Sequence, residues 1–172
     1  MMQTESIGVV GLGRMGRAFA NLLIESGMRV TAFDIDPSKV GAAAKDGAAP
    51  ASALSDLSGC GIVLTSLPDD DAVRSVVLSE SGLASVLRPG TVHLSTSTIG
   101  VDFCRELDAA HRERCQTLIA MPVLGNPDLA AKRGLFLLLG GSAEAISRCQ
   151  GILDCLGERS FHIAEEPGAQ AR

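Results

Sequence analysis

The chain has 172 residues, of which 46% are hydrophobic and 20% are charged, and its net charge is −5. This length suits one globular domain with a buried core and is short for two. The acidic balance, without a basic stripe, argues against nucleic acid as a partner. No apolar run reaches the roughly 20 residues that span a bilayer, and the polar first residues are not a secretory signal. We therefore expect a cytoplasmic protein without a membrane partner.

Short apolar runs and helix-spaced segments alternate along the chain. The apolar runs predict strands at residues 7–10, 29–33, 61–66, 91–94, 117–121, 135–139 and 160–163. Helical spacing and capping residues predict helices at residues 14–26, 37–46, 69–78, 101–113, 126–132 and 142–156. Such alternation predicts an α/β fold with a doubly wound, mostly parallel sheet of the Rossmann type.

Several helix ends carry specific boundary residues. Gly27 stands where the first helix would end in a left-handed cap. Asp36 is placed to cap the second helix, with Pro37 in its first turn. Ser142 is placed to cap the last helix.

The strongest chemical pattern is the G-x-G-x-x-G segment of residues 11–16, between the first strand and the first helix. Gly11 would allow a tight turn, Gly13 would let the backbone approach a pyrophosphate, and Gly16 would let the helix pack closely on the strand. Amides at the helix start would then meet the phosphate charge. A glycine-rich turn can also be purely structural, so the pattern needs support from its context.

An acidic residue supplies that context. Asp34 ends the second strand about 20 residues after Gly11, where a carboxylate is expected to accept hydrogen bonds from the ribose of a dinucleotide. It would repel a 2′-phosphate, Asp36 adds a second negative charge, and Ile35 supplies no positive one. These features favour NAD over NADP. The alternative role for Asp34 and Asp36 is helix capping.

With these motifs in place, residues 11–37 resemble the opening fingerprint of the β-hydroxyacid dehydrogenase superfamily. That group includes 3-hydroxyisobutyrate dehydrogenase, 6-phosphogluconate dehydrogenase and the imine reductases. Three later segments are similar to this family in the same order: its second cofactor loop at 67–73, its Ser-Thr loop at 95–98 and its substrate loop at 122–126.

The resemblance implies an NAD(P)-dependent oxidoreductase that transfers a hydride between a nicotinamide and a small carbonyl, alcohol or imine substrate. It implies cofactor contacts by Gly11, Leu12, Gly13, Arg14, Met15, Gly16, Asp34, Ile35, Leu67, Pro68, Val73 and Thr96. It implies substrate contacts by Ser95, Leu124, Gly125 and Asn126. Hydroxyl groups in the Ser-Thr loop can equally serve to cap the loop.

The family's general acid/base is a lysine on a long helix that follows the cofactor domain. No residue here matches it, so we assign no catalytic residue and expect that lysine beyond Arg172. Residues 1–164 would then form the NAD(P)-binding domain, and 165–172 the start of a linker to a helical domain that this chain lacks. We expect the chain alone to be inactive and the full-length protein to be a homodimer.

The sequence also departs from the family. Leu124 stands where a serine usually binds the substrate carboxylate, and Asn126 replaces a glycine, which disfavours a simple hydroxyacid substrate. His93 replaces an acid before the Ser-Thr loop; we expect a strand-end histidine whose ring is satisfied by backbone. A catalytically inactive nucleotide-binding or scaffold protein stays open as an alternative. A methyltransferase of similar topology would have a different glycine pattern.

The cysteines do not suggest a bound metal or a disulfide framework. Their number is odd, no C-x-x-C pair occurs, and the three histidines are scattered. We therefore expect reduced thiols and no metal site. The residues concerned are Cys60, Cys104, Cys115, Cys149 and Cys155.

Overall fold

A computed structural model describes residues 5–169. The strands are β1 (Ile7–Val10), β2 (Val30–Phe33), β3 (Ala49–Pro50), β4 (Ile62–Thr65), β5 (Val92–Ser95), β6 (Thr117–Ala120), β7 (Val123–Leu124), β8 (Phe136–Gly140) and β9 (Arg159–Ala164). The helices are α1 (Arg14–Glu25), α2 (Pro37–Lys45), α3 (Asp70–Leu78), α4 (Leu83–Val86), α5 (Val101–Arg112), α6 (Pro127–Ala131), α7 (Ala143–Arg148) and α8 (Gln150–Leu156). A 3₁₀ turn spans Leu54–Leu57.

The strands form one sheet in the order β3-β2-β1-β4-β5-β6-β8-β7, with β9 on the free side of β8. Strands β1 to β6 are all parallel, β8 is antiparallel to β6 and β7, and β9 is parallel to β8. The predicted doubly wound, mostly parallel sheet is confirmed. Because the chain leaves β1 toward β2 and then returns to β4 on the other side, the loops after β1 and β4 diverge and open a crevice between them.

Helices cover both faces of the parallel strands, so most residues of those strands are apolar. Ile62 and Leu64 of β4 belong to the core beneath α1, where Phe19 is fully buried. Val63, between them, belongs to the opposite core with Val77 of α3. Alternate side chains thus feed two cores, which fixes the register of the sheet and the height of the loops that follow its strands.

The predicted boundary residues are confirmed. Gly27 has φ +81°, the left-handed conformation of a helix C-terminus. Asp36 caps α2 by accepting a 2.9 Å hydrogen bond from the Ser38 amide, and Ser142 caps α7 by accepting one from the Ala145 amide at 3.3 Å.

Four short elements were not predicted: β3, β7, α4 and the 3₁₀ turn. Elements of two to four residues are too short for a hydrophobic period to be visible. β3 contains Pro50, which a sheet tolerates at its edge. The single helix predicted over 142–156 is wrong in one respect, because it divides into α7 and α8 at Cys149.

Among residues 5–169 no helix is long and apolar enough to cross a membrane. In the same part of the chain, no three His, Cys, Asp or Glu side chains meet as a metal site would need. The cysteines are free thiols, and burial raises the pKa of Cys104 and of Cys149 to about 11. Both therefore remain protonated at neutral pH.

Candidate cofactor-binding site

Two adjoining cavities occupy the crevice at the carboxyl ends of β1, β2, β4 and β5. The first has a volume of about 430 Å³ and the second about 340 Å³, and residues 66–68 lie between them and line both. The first is bounded by the glycine loop, the end of β2 and the first turns of α3. The second is bounded by the loops that follow β4, β5 and β7.

Two glycines of residues 11–16 are required by packing. Gly11 has φ +88°, and a Cβ there would lie 2.2 Å from the carbonyl oxygen of Ser66. A Cβ on Gly16 would lie 1.7 Å from the carbonyl oxygen of Gly11. Both contacts are with backbone atoms, which cannot rotate away. The turn is therefore pressed against the loop after β4, and α1 starts directly on the end of β1.

Gly13 is different, because the space beside its Cα is open. Apart from its chain neighbours, no atom of residues 5–169 lies within 4 Å of the position that its Cβ would take, and its backbone lines the first cavity. Gly13 is also the N-cap of α1, and no side chain caps that helix. The amides of the first helical turn have no partner within the helix. The fold thus leaves unobstructed backbone at the first cavity, at the N-terminal, positive end of α1. An anionic ligand fits at this position.

Asp34 fixes the glycine loop from the side. Its Oδ2 accepts a 2.7 Å hydrogen bond from the Leu12 amide, and its Oδ1 accepts one of 2.8 Å from the Asp36 amide. Each carboxylate oxygen keeps a further lone pair, and the residue lines the first cavity. The helix-capping role belongs to Asp36 instead, and hydrogen bonds from the Ser38 hydroxyl and amide lower the pKa of Asp36. Asp34 therefore faces the cavity as an acceptor.

Sequence reasoning missed a positive charge beside Asp34. Lys39, in the first turn of α2, lines the same cavity as Asp34 and Ile35. The sequence analysis weighed the charges of residues 34–36 only. Lys39 follows Asp36 by three positions, and residues three apart at the start of a helix lie on the same face, so the lysine could have been found from the sequence.

The second cofactor loop contributes through a different face of α3 than the sequence suggested. Leu67 and Pro68 line both cavities. From α3 the first cavity is lined by Ala72, Ser75 and Val76. Val73 is 0% exposed in the core beside Val77, so the structure gives it a packing position.

The Ser-Thr loop is tied to the loop after β4. The hydroxyl of Thr96 donates to the Thr65 carbonyl at 2.9 Å, and the Thr96 amide donates to the same oxygen at 3.0 Å. The Leu67 amide donates to the Ser97 hydroxyl at 3.0 Å. Thr96 lines the second cavity. Ser95 lies behind that wall, 1% exposed, and its hydroxyl has no hydrogen-bond partner among the described residues.

The predicted substrate segment meets the second cavity only in part. Gly125 and Asn126 line it, whereas Leu124 is 55% exposed outside it. Gly125 has φ +142°, and a Cβ there would lie 2.4 Å from a methyl group of Leu135, so the position requires glycine. The side-chain oxygen of Asn126 caps α6 by accepting from the Leu129 amide at 2.9 Å.

The first turn of α1 also borders the second cavity. Met15 lines it, and it packs against the core beneath α1. Arg14 lines neither cavity; its side chain is highly exposed and lies 3.9 Å from the carboxylate of Asp128 in α6, a distance at which an exposed ion pair contributes little stability. The Arg14 guanidinium is thus free to turn toward an anion on the glycine loop.

The expectation for His93 was wrong. Its ring is bonded by side chains rather than by backbone: Nε2 lies 2.8 Å from the Thr65 hydroxyl and Nδ1 lies 2.9 Å from Nε2 of His111. The partner, His111, lies on α5. This helix packs against the face of the sheet toward which the His93 side chain points. Sequence distance concealed the pair, because 18 residues separate the two histidines.

Comparisons with known proteins identify the family of this chain. A family model described as the NAD binding domain of 6-phosphogluconate dehydrogenase matches residues 6–164. The uncharacterized oxidoreductase YfjR of Bacillus subtilis is 39% identical over 166 residues, which are 93% of this chain and 56% of that protein. The NAD-dependent L-serine dehydrogenase of Pseudomonas aeruginosa is 32% identical over 96% of this chain and 56% of its own length.

The solved structures extend the likeness to the fold. A 3-hydroxyisobutyrate dehydrogenase of Mycobacterium tuberculosis, solved with L-serine, superposes with a TM-score of 0.92 at 27% identity, covering 98% of this chain and 57% of that one. The chain thus spans a little over half the length of the relatives it matches. The matched residues include the glycine loop, Asp34 and the Ser-Thr loop. The chain belongs to the family of the NAD-binding domain of 6-phosphogluconate dehydrogenase.

Proposed function

We propose that this chain is the cofactor-binding part of an NAD(P)-dependent oxidoreductase that acts on a small carbonyl, alcohol or imine substrate. The observation that carries the proposal is the contrast among the three loop glycines. Gly11 and Gly16 are required by the protein's own backbone, whereas Gly13 opens onto a cavity that none of the described residues fills. A protein that used this turn only for folding would have no need of bare backbone at that position.

The two cavities divide the proposed cofactor. The first would hold the adenosine, with its ribose hydroxyls donating to Asp34 and its base beside Ile35 and Pro68. The pyrophosphate would lie on the amides of residues 13–15, with Arg14 able to reach it. The second would hold the nicotinamide side near Thr96, Leu67 and Met15. We leave Val73 out of this contact set because it is fully buried.

Thr96 would serve as an acceptor in this arrangement. Its hydroxyl proton goes to the Thr65 carbonyl, so its oxygen can only accept further hydrogen bonds, as the hydroxyls of the second ribose require. When bound, the nicotinamide supplies or takes up the hydride. The protein's part is to hold the nicotinamide side against the wall formed by residues 66–68 and 96–98.

The substrate would lie over the second cavity, beside Gly125 and the amide NH₂ of Asn126, with exposed Leu124 at its edge. An apolar leucine favours a substrate without a carboxylate at that point. No lysine of this chain lines either cavity at the substrate end, so the proton-transfer group would come from a helical domain beyond the described residues. Ser95 would support the wall from behind.

The domain boundaries belong to the same proposal. Residues 1–164 would be the cofactor domain and 165–172 the start of the linker, of which 170–172 lie outside the described residues. The full-length protein would be a cytoplasmic homodimer. We expect this chain alone to show cofactor binding without turnover; steady-state oxidation of NADH with small aldehydes, ketones and imines would check this. Turnover by the chain alone would place a proton-transfer group within it.

We further propose that NAD is preferred over NADP. The Asp34 carboxylate would accept hydrogen bonds from a free ribose and repel a 2′-phosphate, and Lys39 in the same cavity offsets part of that repulsion. Calorimetric titration is expected to show NADH binding about tenfold more tightly than NADPH, or ~1.4 kcal/mol. Asp34→Arg should narrow or reverse the preference, because a guanidinium is a strong phosphate partner.

Lys39→Gln is the matched control for that experiment. Removing the cation should weaken NADPH binding and leave NADH binding nearly unchanged, so the preference for NADH over NADPH should increase. Tighter binding of NADPH than of NADH by the natural chain would contradict the role given to Asp34. Failure of both nucleotides to bind would contradict the proposed function itself.

A further inference from the structure

A chain of buried polar side chains begins at Thr65, next to Ser66 in the wall of the second cavity, and runs along the sheet face that α5 covers. Thr65, His93 and His111 are each 0% exposed and Gln116 is 4% exposed. The Thr65 hydroxyl lies 2.8 Å from His93 Nε2, and His93 Nδ1 lies 2.9 Å from His111 Nε2. His111 Nδ1 lies 2.7 Å from the side-chain oxygen of Gln116. The side chains come from β4, β5, α5 and the residue before β6, so the chain connects four separate parts of the fold.

The direction of every hydrogen bond in this chain follows from its last member. The amide nitrogen of Gln116 donates to two carbonyl oxygens, of Ala84 at 3.2 Å and of Leu87 at 2.8 Å, so its oxygen must face His111. That oxygen only accepts, so His111 Nδ1 carries the proton and the Nε2 of the neutral ring accepts. His93 then donates from Nδ1 and accepts at Nε2. Thr65 therefore donates its hydroxyl proton downward to His93.

This arrangement is an anchor rather than a proton relay. A relay needs a group at each end that can take up or release a proton, and the carboxamide of Gln116 does neither. All four imidazole nitrogens are already bonded with both rings neutral. Satisfied networks of this kind hold their members in one geometry, because a broken bond would leave a buried polar atom without a partner.

Thr65, at one end of the hydrogen-bonded chain, is linked to the wall of the second cavity. Its hydroxyl is bonded to His93, and its carbonyl oxygen accepts hydrogen bonds from both the amide and the hydroxyl of Thr96. Thr96 lines the cavity, and its neighbour Ser97 accepts from the Leu67 amide on the opposite wall. The position of Thr65 therefore sets the orientation of the Thr96 hydroxyl.

We propose that the chain Thr65–His93–His111–Gln116 positions the wall of the second cavity for the nicotinamide half of the cofactor. This inference rests on the function proposed above. Thr65 and His93 act as positioning residues, and Thr96 is the residue they place. The adenosine half would lie in the first cavity and should depend less on these four side chains, because Thr96, the residue that they place, lines only the second cavity.

The test compares two ligands on matched variants. NADH occupies both proposed cavities, whereas ADP carries only the adenosine and the phosphates. Thr65→Val keeps the shape of the side chain and removes the hydroxyl, and Thr65→Ser keeps the hydroxyl. Calorimetry is expected to show that Thr65→Val weakens NADH binding about tenfold, the loss of roughly one net hydrogen bond, while ADP binding stays within about twofold. Thr65→Ser should restore NADH binding.

A second variant pair addresses His93 itself. His93→Leu should weaken NADH binding selectively, as Thr65→Val does. His93→Gln should rescue it, because a carboxamide offers one acceptor to Thr65 and one donor to His111. If these variants weaken NADH and ADP binding equally, or weaken neither, the positioning role would be overturned while the proposed function stands. Failure of the natural chain to bind either ligand would instead contradict the proposed function.

A measurement on the natural chain does not depend on how any variant folds. Nitrogen-15 NMR of the histidine side chains at pH 7 is expected to show both His93 and His111 as the neutral tautomer with the proton on Nδ1. An Nε2–H tautomer on either ring would reverse the derived direction of the hydrogen bonds. That result would overturn the proposal, since Thr65 would then no longer be the donor at the upper end.

Discussion

Gly13→Ala is expected to keep the fold and lose the dinucleotide, whereas Gly16→Ala is expected to lose much of the stability of the fold. The methyl group at residue 13 would enter open space, so the free energy of unfolding should change by less than about 1 kcal/mol. The same methyl group occupies the approach of the pyrophosphate to the amides of α1. NADH affinity should therefore fall by at least about tenfold, or ~1.4 kcal/mol.

At residue 16 the added methyl group meets the carbonyl oxygen of Gly11, and only a shift of α1 away from β1 relieves the contact. Overpacking of this kind costs about 3 kcal/mol, which lowers the Tm of a domain of this size by roughly 6–12 °C. Thermal unfolding followed by circular dichroism, together with calorimetry of NADH, separates the two effects. A Gly13→Ala variant that binds NADH as the natural chain does would contradict the proposed path of the pyrophosphate.

Acid is expected to destabilise the protein through its buried histidine pair. Burial lowers the pKa of His93 well below its usual value, and the neighbouring His111 lowers it further. Burial also lowers the pKa of His111, although the bond to Gln116 and the charge of Asp108 oppose this and Arg114 assists it. The unfolded chain takes up protons at both rings below about pH 6.5, while the folded chain does not.

The unfolded state thus binds more protons in that range, so stability is fully present above about pH 6.5 and falls as the pH falls through it. Each ring contributes up to about 1.4 kcal/mol per pH unit. Urea unfolding should show a loss of about 2–4 kcal/mol between pH 7 and pH 5. The free energy of unfolding of the double variant His93→Gln/His111→Gln should depend much less on pH over the same range. His162, on the exposed strand β9, serves as the control, and His162→Gln should keep the full dependence.

The parts of the site that depend on local backbone chemistry were predictable from the sequence. The glycine turn and the capping by Asp36 each act within a few residues, and the parallel pairing of β1 and β2 brings Asp34 beside the turn. The glycine loop and Asp34 therefore lie where the motif requires, and Asp34 bonds the Leu12 amide. The parallel pairing of the strands was predictable from the alternation of elements, since parallel strands need helical crossovers.

The orientation of individual side chains was harder to predict. The helix that was predicted at 69–78 begins within the cofactor segment 67–73, and each residue of a helix is rotated by about 100° from the last. That rotation turns Val73 into the core while Ala72 and Val76 face the cavity. The alternation along β5 likewise directs Ser95 inward, and the turn that follows brings Thr96 to the surface of the cavity.

By itself, the sequence determined the sheet, the glycine turn and the acid beside it, because these depend on contacts between residues close in the chain or on the period of a strand or helix. Only the tertiary structure decided that Val73 packs into the core with α5, and that His93 meets His111 beneath Thr65. Those contacts join elements that are distant in sequence. They depend on the height and rotation of packed helices on the sheet, which the whole core sets together.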